Sequence, residues 1–188
     1  MTLLKEYIKK YGKIIDNKIL KVDNFLNHQV DPELMLEIGK EFKKRFNHLQ
    51  INKIMTVEAS GIAMGLATAY AFKMPLVFAK KKVPATMDKS YCAKVFSFTK
   101  NIHYTISVSK EFLNPEDKVL VIDDFLAMGN AIIGLEEIIK QARADMVGVG
   151  IAITKAFQEG EKNLMDRGIR VESLVKIKEF RDNKVILE

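Results

Sequence analysis

Val119-Leu120-Val121-Ile122-Asp123-Asp124-Phe125-Leu126-Ala127-Met128-Gly129-Asn130-Ala131 is the stretch that decides the fold class. The apolar run from Val119 reads as a buried strand, and it ends on two adjacent carboxylates, Asp123 and Asp124. A short loop centred on Gly129 follows, then an amphipathic helix expected from about Asn130 to Arg143. Strand, loop and helix in that order form one unit of an α/β sheet, whose ligands bind at the carboxyl ends of the strands. The open N–H groups and positive pole at the start of the helix attract phosphate. Carboxylates for sugar hydroxyls beside amides for a phosphate describe a pocket for a phosphorylated ribose. Spacing alone leaves two other readings open: the acidic pair caps the helix, or it coordinates Mg²⁺ in another kind of α/β enzyme.

Working outward, the same alternation recurs. Asp31-Pro32 starts a helix as N-cap and first-turn proline, and Leu34, Met35, Ile38, Phe42, Phe46 and Leu49 follow at helical spacing. Lys53 to Val57 reads as a buried strand, Glu58-Ala59-Ser60-Gly61 as a loop, Ile62 to Phe72 as a helix, and Met74 to Ala79 as the next strand. From Lys80 to about Lys100 the pattern loosens, with Pro84, Asp88, Lys89 and Ser90 interrupting it. Val95 to Thr99 and Tyr104 to Val108 alternate apolar and polar residues and suggest a hairpin. Met146 to Ile153 reads as a strand, Glu159 to Arg167 as a short helix and Val171 to Ile177 as a last strand. The expected fold is α/β: a mostly parallel sheet flanked by helices on both faces, beginning near residue 14. It forms a single domain over residues 1–188, with the hairpin inserted as a lid over the site and a small hood.

Composition narrows the function. Of the 188 residues 48% are hydrophobic and 29% charged, an ordinary balance for a globular protein. No apolar run approaches the ~18–20 residues needed to cross a bilayer. The amphipathic N-terminus lacks the unbroken apolar core of a signal peptide. Cys92 is the single cysteine, so no intrachain disulfide is possible and a cytoplasmic location is expected. No Cys/His cluster has zinc spacing, and no protein-built metal site is expected. The net charge of +6 suits an anionic partner, either nucleic acid or a polyphosphate. Lys155 ends a buried strand and must reach solvent or an acceptor; Phe157, two residues on, can stack on a flat ring or join the core.

These motifs resemble those of type I phosphoribosyltransferases. In that family the strand, acidic pair and two apolar residues are usually followed by Ala-Thr-Gly-Gly-Thr, the motif for phosphoribosyl diphosphate (PRPP). Here the last part is Ala127-Met128-Gly129-Asn130-Ala131, so the threonine hydroxyls are missing and a phosphate leans on backbone N–H groups and the Asn130 amide. Glu58-Ala59-Ser60-Gly61 resembles the family's pyrophosphate loop. Lys80 is the best match to its basic partner, with Lys81 and Lys82 read as solvated surface. The resemblance covers nearly the whole chain and is closest in kind to the bacterial xanthine phosphoribosyltransferase family. It is carried by Leu20-Lys21-Val22-Asp23, Phe25-Leu26-Asn27-His28-Gln29, Glu58-x-Ser60-Gly61-Ile62, Ser97-Phe98-Thr99-Lys100 and Asp123-Asp124-Phe125-Leu126-Ala127.

The resemblance implies transfer of the 5-phosphoribosyl group from PRPP to xanthine, as in purine salvage. It implies that Asp123 and Asp124 hold the ribose hydroxyls, that residues 127–131 hold the phosphate, and that Leu20, Asn27 and Lys155 contact the purine. Mg²⁺ is expected to bind mainly through PRPP itself. A homodimer is implied, with the helix near 31–49 and the 80–110 hairpin as contact regions. Lys155 suits a 6-oxopurine, because an ammonium donates to O6, and it argues against adenine. Guanine or hypoxanthine stays open as the base. A PRPP-sensing regulator that binds nucleic acid is the other alternative.

Overall fold

The computed structural model describes residues 1–82, 85, 87–97 and 101–188. The chain opens with α1 (Thr2–Tyr11), a hairpin of β1 (Lys13–Ile15) and β2 (Ile19–Lys21), a wide helical turn over Asp23–Asn27, and α2 (Pro32–Phe46). Then come β3 (Lys53–Val57), α3 (Gly61–Phe72), β4 (Leu76–Ala79), and the hairpin β5 (Ser90–Ser97) and β6 (Ile102–Ser109). The second half is β7 (Lys118–Leu126), α4 (Asn130–Gln141), β8 (Asp145–Lys155), α5 (Gly160–Asp166), β9 (Val171–Arg181) and β10 (Lys184–Leu187). Six strands form the main sheet in the order β10-β9-β8-β7-β3-β4. Every neighbouring pair is parallel except β10 with β9. No helix among the described residues is long and apolar enough to cross a membrane.

Alternation along the strands feeds two cores, one on each face of the sheet. Ile54, Leu120 and Ile122 pack with Phe42 of α2 and Met64 of α3, and the same core reaches Leu20, Phe25 and Leu26. Met55, Val119 and Val121 pack on the opposite face with Leu135 and Ile138 of α4, and with Val95 and Ile106 of the hairpin. The cap expected at Asp31 is present: its Oδ1 accepts from the Leu34 N–H at 2.9 Å, while Oδ2 accepts from the Tyr7 hydroxyl at 3.1 Å.

Three expectations change. The main sheet starts at Lys53 rather than near residue 14, because the segment from 13 to 21 closes on itself as a separate two-stranded sheet. Asp16 and Asn17 both take positive φ there (50° and 52°), a turn that joins strands tightly. Second, β10 was not foreseen; a like turn at Asp182 and Asn183 (φ 50° and 53°) folds it back onto β9. Third, both hairpin strands are longer than their alternation suggested, and β5 begins at Ser90. Phe98, Thr99 and Lys100 of the expected hairpin, and Pro84 before it, lie outside the described residues. The described hairpin lies along α4. The Gln141 side chain brackets Cys92, accepting from its N–H at 3.2 Å and donating to its carbonyl at 2.7 Å. Gly134 admits the close approach, since a Cβ there would stand 2.5 Å from Val95 Cγ2.

The pairing of β3 with β7 aligns the two loops that follow them, and one buried ion pair holds that register. Lys53 opens β3 opposite Val119. Its ammonium donates to Asp117 Oδ2 at 2.6 Å and to the Phe112 carbonyl at 2.7 Å, and Asp117 Oδ2 also accepts from the Asn114 N–H at 2.7 Å. Removing one member of a buried pair strands the other charge. Lys53→Met is therefore expected to cost about 3–5 kcal/mol in urea unfolding, with much of the loss recovered in Lys53→Met/Asp117→Leu. A loss below ~1 kcal/mol, the ordinary worth of an exposed pair, would show that the pair does not hold the register.

Candidate active site

Asp123 and Asp124 lie near the carboxyl end of β7, Asp123 buried and Asp124 half-buried. The Asp123 carboxylate accepts from the Asp124 N–H at 3.0 Å, and Asp124 from the Phe125 N–H at 2.9 Å. Burial, and then the Asp124 charge beside it, push the Asp123 carboxyl well above the usual carboxylate range. Two carboxyls this close in a poorly hydrated corner resist joint ionisation unless donors arrive. Hydroxyl groups of a sugar are such donors.

The loop after β7 supplies anion-binding groups. Gly129, at φ 86°, is the N-cap of α4 and offers no side-chain cap, so the first helical amides stay open. Residues Ala127, Met128, Gly129, Asn130 and Ala131 line a cavity of about 160 Å³ together with Asp123, Tyr104 and Phe96. Asn130 does not leave its amide group free for a phosphate as expected: Nδ2 donates to the Phe96 carbonyl at 2.9 Å and ties β5 to the loop. Backbone N–H groups are then the natural donors. Larger cavities exist, of about 530 Å³ beside Lys13 and Lys21 and about 760 Å³ against α2 and α3. Neither combines a carboxylate pair with a helix N-terminus, so size does not locate the chemistry.

The Glu58 loop meets the same corner from β3. A Cβ on Gly61 would lie 2.0 Å from Thr56 Oγ1 and 3.4 Å from Asp123 Oδ1, so only glycine lets the start of α3 come this close to the acidic pair. Ser60 is the N-cap of α3 and makes no side-chain cap; the Ile62 N–H turns back to the Ala59 carbonyl at 3.1 Å, so this helix start is open in part. Ala59 is exposed and follows Glu58 through a cis peptide bond. Glu58 Oε1 accepts from the Lys81 N–H at 2.5 Å. Two open helix starts thus flank Asp123, enough for an anion at each end of a sugar.

Lysine placement departs from the expectation. Lys80 is paired through its backbone to Ser107, at 2.9 Å in both directions, and lines a cavity with Lys53, Phe78 and Phe112 away from the acidic pair. Lys81, read from sequence as solvated surface, is the lysine that faces the site. Its ammonium lies 5.5 Å from the Tyr104 ring centre, and its charge favours the ionised form of Asp123. The Ser107 bridge holds the Lys80 backbone, and the chain bends at Lys81. Tyr104 was also missed; burial and then the Asp123 charge raise its phenol above the ordinary range.

The base side is more dispersed. Lys155 closes β8, half-buried, and desolvation lowers its ammonium below the usual lysine value. Phe157 is 49% exposed and meets Phe180 edge-on at 5.7 Å. Phe180 packs against the core that holds Leu20 and Phe25, so it links this turn to the hood. Leu20 is buried on β2 and Asn27 ends the helical turn half-buried.

Comparison with known proteins gives one family. Residues 22–182 match the family described as Phosphoribosyl transferase domain. A curated relative from Clostridium tetani, named xanthine phosphoribosyltransferase, is 53% identical over 190 residues, covering 100% of both chains. One of the same name from Moorella thermoacetica is 57% identical, covering 93% of this chain and 90% of its own. Among solved structures, the adenine phosphoribosyltransferase of Thermoanaerobacter pseudethanolicus superposes with a TM-score of 0.77 at 20% identity, covering 92% of this chain and 99% of that one. At that identity the likeness shows the fold alone.

The raised Asp123 carboxyl makes a prediction for stability. Its folded-state value lies above the unfolded one, so the native state binds more protons and loses stability as pH climbs out of the ordinary carboxyl range. Asp123→Asn removes that cost. It should raise the melting temperature at pH 8, by about 2–4 °C per kcal/mol regained, with the gain shrinking toward pH 4. A variant less stable at pH 8 than the parent would contradict this.

Proposed function

We propose that this chain, which belongs to the phosphoribosyl transferase family, moves the 5-phosphoribosyl group of PRPP onto xanthine, giving xanthosine 5′-monophosphate and pyrophosphate. The observation that carries the reading is the meeting of a buried carboxyl with two open helix starts, Gly61 standing within 3.4 Å (as Cβ) of Asp123 Oδ1. In this reading the 5′-phosphate takes the Ala127–Ala131 amides, and Asp123 and Asp124 accept from the ribose hydroxyls. The pyrophosphate end faces the Ala59–Gly61 amides and Lys81, the Glu58 N–H being held by the Ala79 carbonyl at 3.0 Å. A ring nitrogen of the base attacks the anomeric carbon as its C–O bond to pyrophosphate breaks, and the ring N–H proton passes to solvent or diphosphate. Positive charge builds on the ribose beside Asp123, and fixed charges and dipoles stabilise it without reorganising.

Mg²⁺ carried on the diphosphate oxygens would neutralise charge on the leaving group. The donor set fits such an ion. Asp123 and Asp124 are the carboxylates at hand, and no cluster of three or more metal-ligating side chains occurs among the described residues. The identity of the base rests on the relatives named for xanthine and on Lys155. Burial disfavours the charged form of Lys155, and donating to a 6-oxo anion, which xanthine forms readily, offsets that cost. Phe157, backed by Phe180, offers an exposed ring for stacking, with Asn27 and the Leu20 backbone on the 2-oxo side.

We further propose a homodimer. Leu36 of α2 and Leu66 and Tyr70 of α3 are 45%, 59% and 75% exposed on one apolar face. Such a patch on a single chain calls for a partner. Light scattering should give twice the 21.4 kDa of one chain, falling to one chain in Leu66→Glu/Tyr70→Glu. A parent of single-chain mass rules the dimer out.

Turnover decides the reaction. Purified protein with PRPP and Mg²⁺ should convert xanthine in preference to guanine, hypoxanthine and adenine; turnover of adenine with none of xanthine refutes the assignment. Lys155→Ala should lower kcat/KM for xanthine about 10- to 150-fold, matching the ~1.5–3 kcal/mol of a hydrogen bond to a charged group, with KM for PRPP held. Equal loss toward both substrates would make Lys155 structural.

A further inference from the structure

Helix α5 takes no part in the reaction just described, yet it touches both halves of the site. Its first residue, Gly160, donates its N–H to the Ala127 carbonyl at 3.0 Å. A Cβ at this position would stand 2.3 Å from that same oxygen and 3.0 Å from the Met128 carbonyl carbon, so glycine alone permits the approach. From the other side, a Cβ on Gly129 would lie 3.5 Å from the Gly160 carbonyl oxygen and 3.5 Å from Leu164. Asn163 Nδ2 reaches the Met128 carbonyl at 3.5 Å. The phosphate loop rests against three residues of α5.

The turn leading into α5 is the base side. The Gln158 N–H donates to the Lys155 carbonyl at 3.0 Å, and Phe157 stands exposed between them. Gln158 Oε1 is buried with no hydrogen-bond partner among the described residues, which marks the turn as incompletely satisfied. The rest of the helix is pinned. Lys176 of β9 reaches both Glu161 oxygens at 2.8 Å. Arg167, just past the helix, donates to Oε2 of the buried Glu136 on α4 at 2.9 and 2.5 Å. A seven-residue helix is too short to hold itself in place. These contacts set its position against α4, β9 and the phosphate loop at once.

We propose that α5 couples the two half-sites, with Gly160 as a positioning residue for the phosphate loop: a base on Lys155 and Phe157 orders the 155–160 turn, fixes Gly160, and thereby fixes the Ala127–Gly129 amides. This rests on the function proposed above. The ordering cost met by one ligand is not repeated for the second, so each tightens the other, and reciprocity requires the same factor in both directions.

Isothermal titration of ribose 5-phosphate into the full chain, with and without saturating xanthine, tests this. Xanthine should lower the Kd for ribose 5-phosphate by about 5- to 150-fold, the usual span of such couplings. In Gly160→Ala the factor should fall to near one while affinity for xanthine alone is kept. If that variant does not fold, Arg167→Met, remote from both ligands, should show the same loss and Arg167→Lys should restore it. A merely structural Gly160 or Arg167 lowers the melting temperature and leaves the factor intact, which overturns the proposal. A parent chain that transfers phosphoribosyl to xanthine but binds the two ligands independently overturns the coupling alone. A parent without turnover overturns the reading of function, and the coupling with it.

Discussion

The parallel pairing of β3 with β7 is the constraint on which the site depends. Parallel neighbours end at the same edge of a sheet, so the loops after Val57 and Leu126 open toward one another, each onto the start of a helix. The buried Lys53–Asp117 pair sits at the opposite end of these strands and sets their stagger. A slip by one residue would turn Asp123 to the other face of the sheet. Glycines shape both helix starts. A Cβ at Gly61 would clash with Thr56 beside Asp123, and Gly129 takes the positive φ from which α4 begins.

Asp123 is the place where stability is sacrificed. A carboxyl buried beside another carboxyl costs the fold at neutral pH, and its neighbours relieve this only in part: one backbone N–H and the more distant charge of Lys81. Such a corner is tolerated where a ligand completes it. The same logic applies to the open amides of α4 and α3 and to the half-desolvated Lys155. Each is an unfinished interaction, and together they suit the two substrates proposed above: a sugar with anionic ends and a hydroxylated middle, and a flat base with an acceptor edge.

Much of this was legible in the residues alone. The five-residue strand at Lys53, the Asp31-Pro32 helix start, and the run from Val119 through Gly129 all appear where periodicity and capping put them, because local preference and tertiary packing agree there. What escaped notice depends on contacts between distant segments. Three consecutive lysines carry no signal of which one faces inward; the backbone bridge from Lys80 to Ser107 decides it, and that partner lies in the hairpin. Asn130 looked like a phosphate ligand until the Phe96 carbonyl claimed its amide. Strands of three residues show no periodicity, so the β1–β2 hairpin could be found only through its Asp16-Asn17 turn, and β10 only through Asp182-Asn183. Phe180 and Gly160 take their meaning from Phe157 and Ala127, which adjoin them only in the folded chain.

The most direct measurement is a crystal structure of the chain soaked with ribose 5-phosphate. The account predicts phosphate oxygens within hydrogen-bond distance of the amides between Met128 and Ala131, with the ribose hydroxyls on Asp123 and Asp124. A sugar phosphate seated instead in the cavity beside Lys13 and Lys21, with the loop before α4 empty, would contradict it.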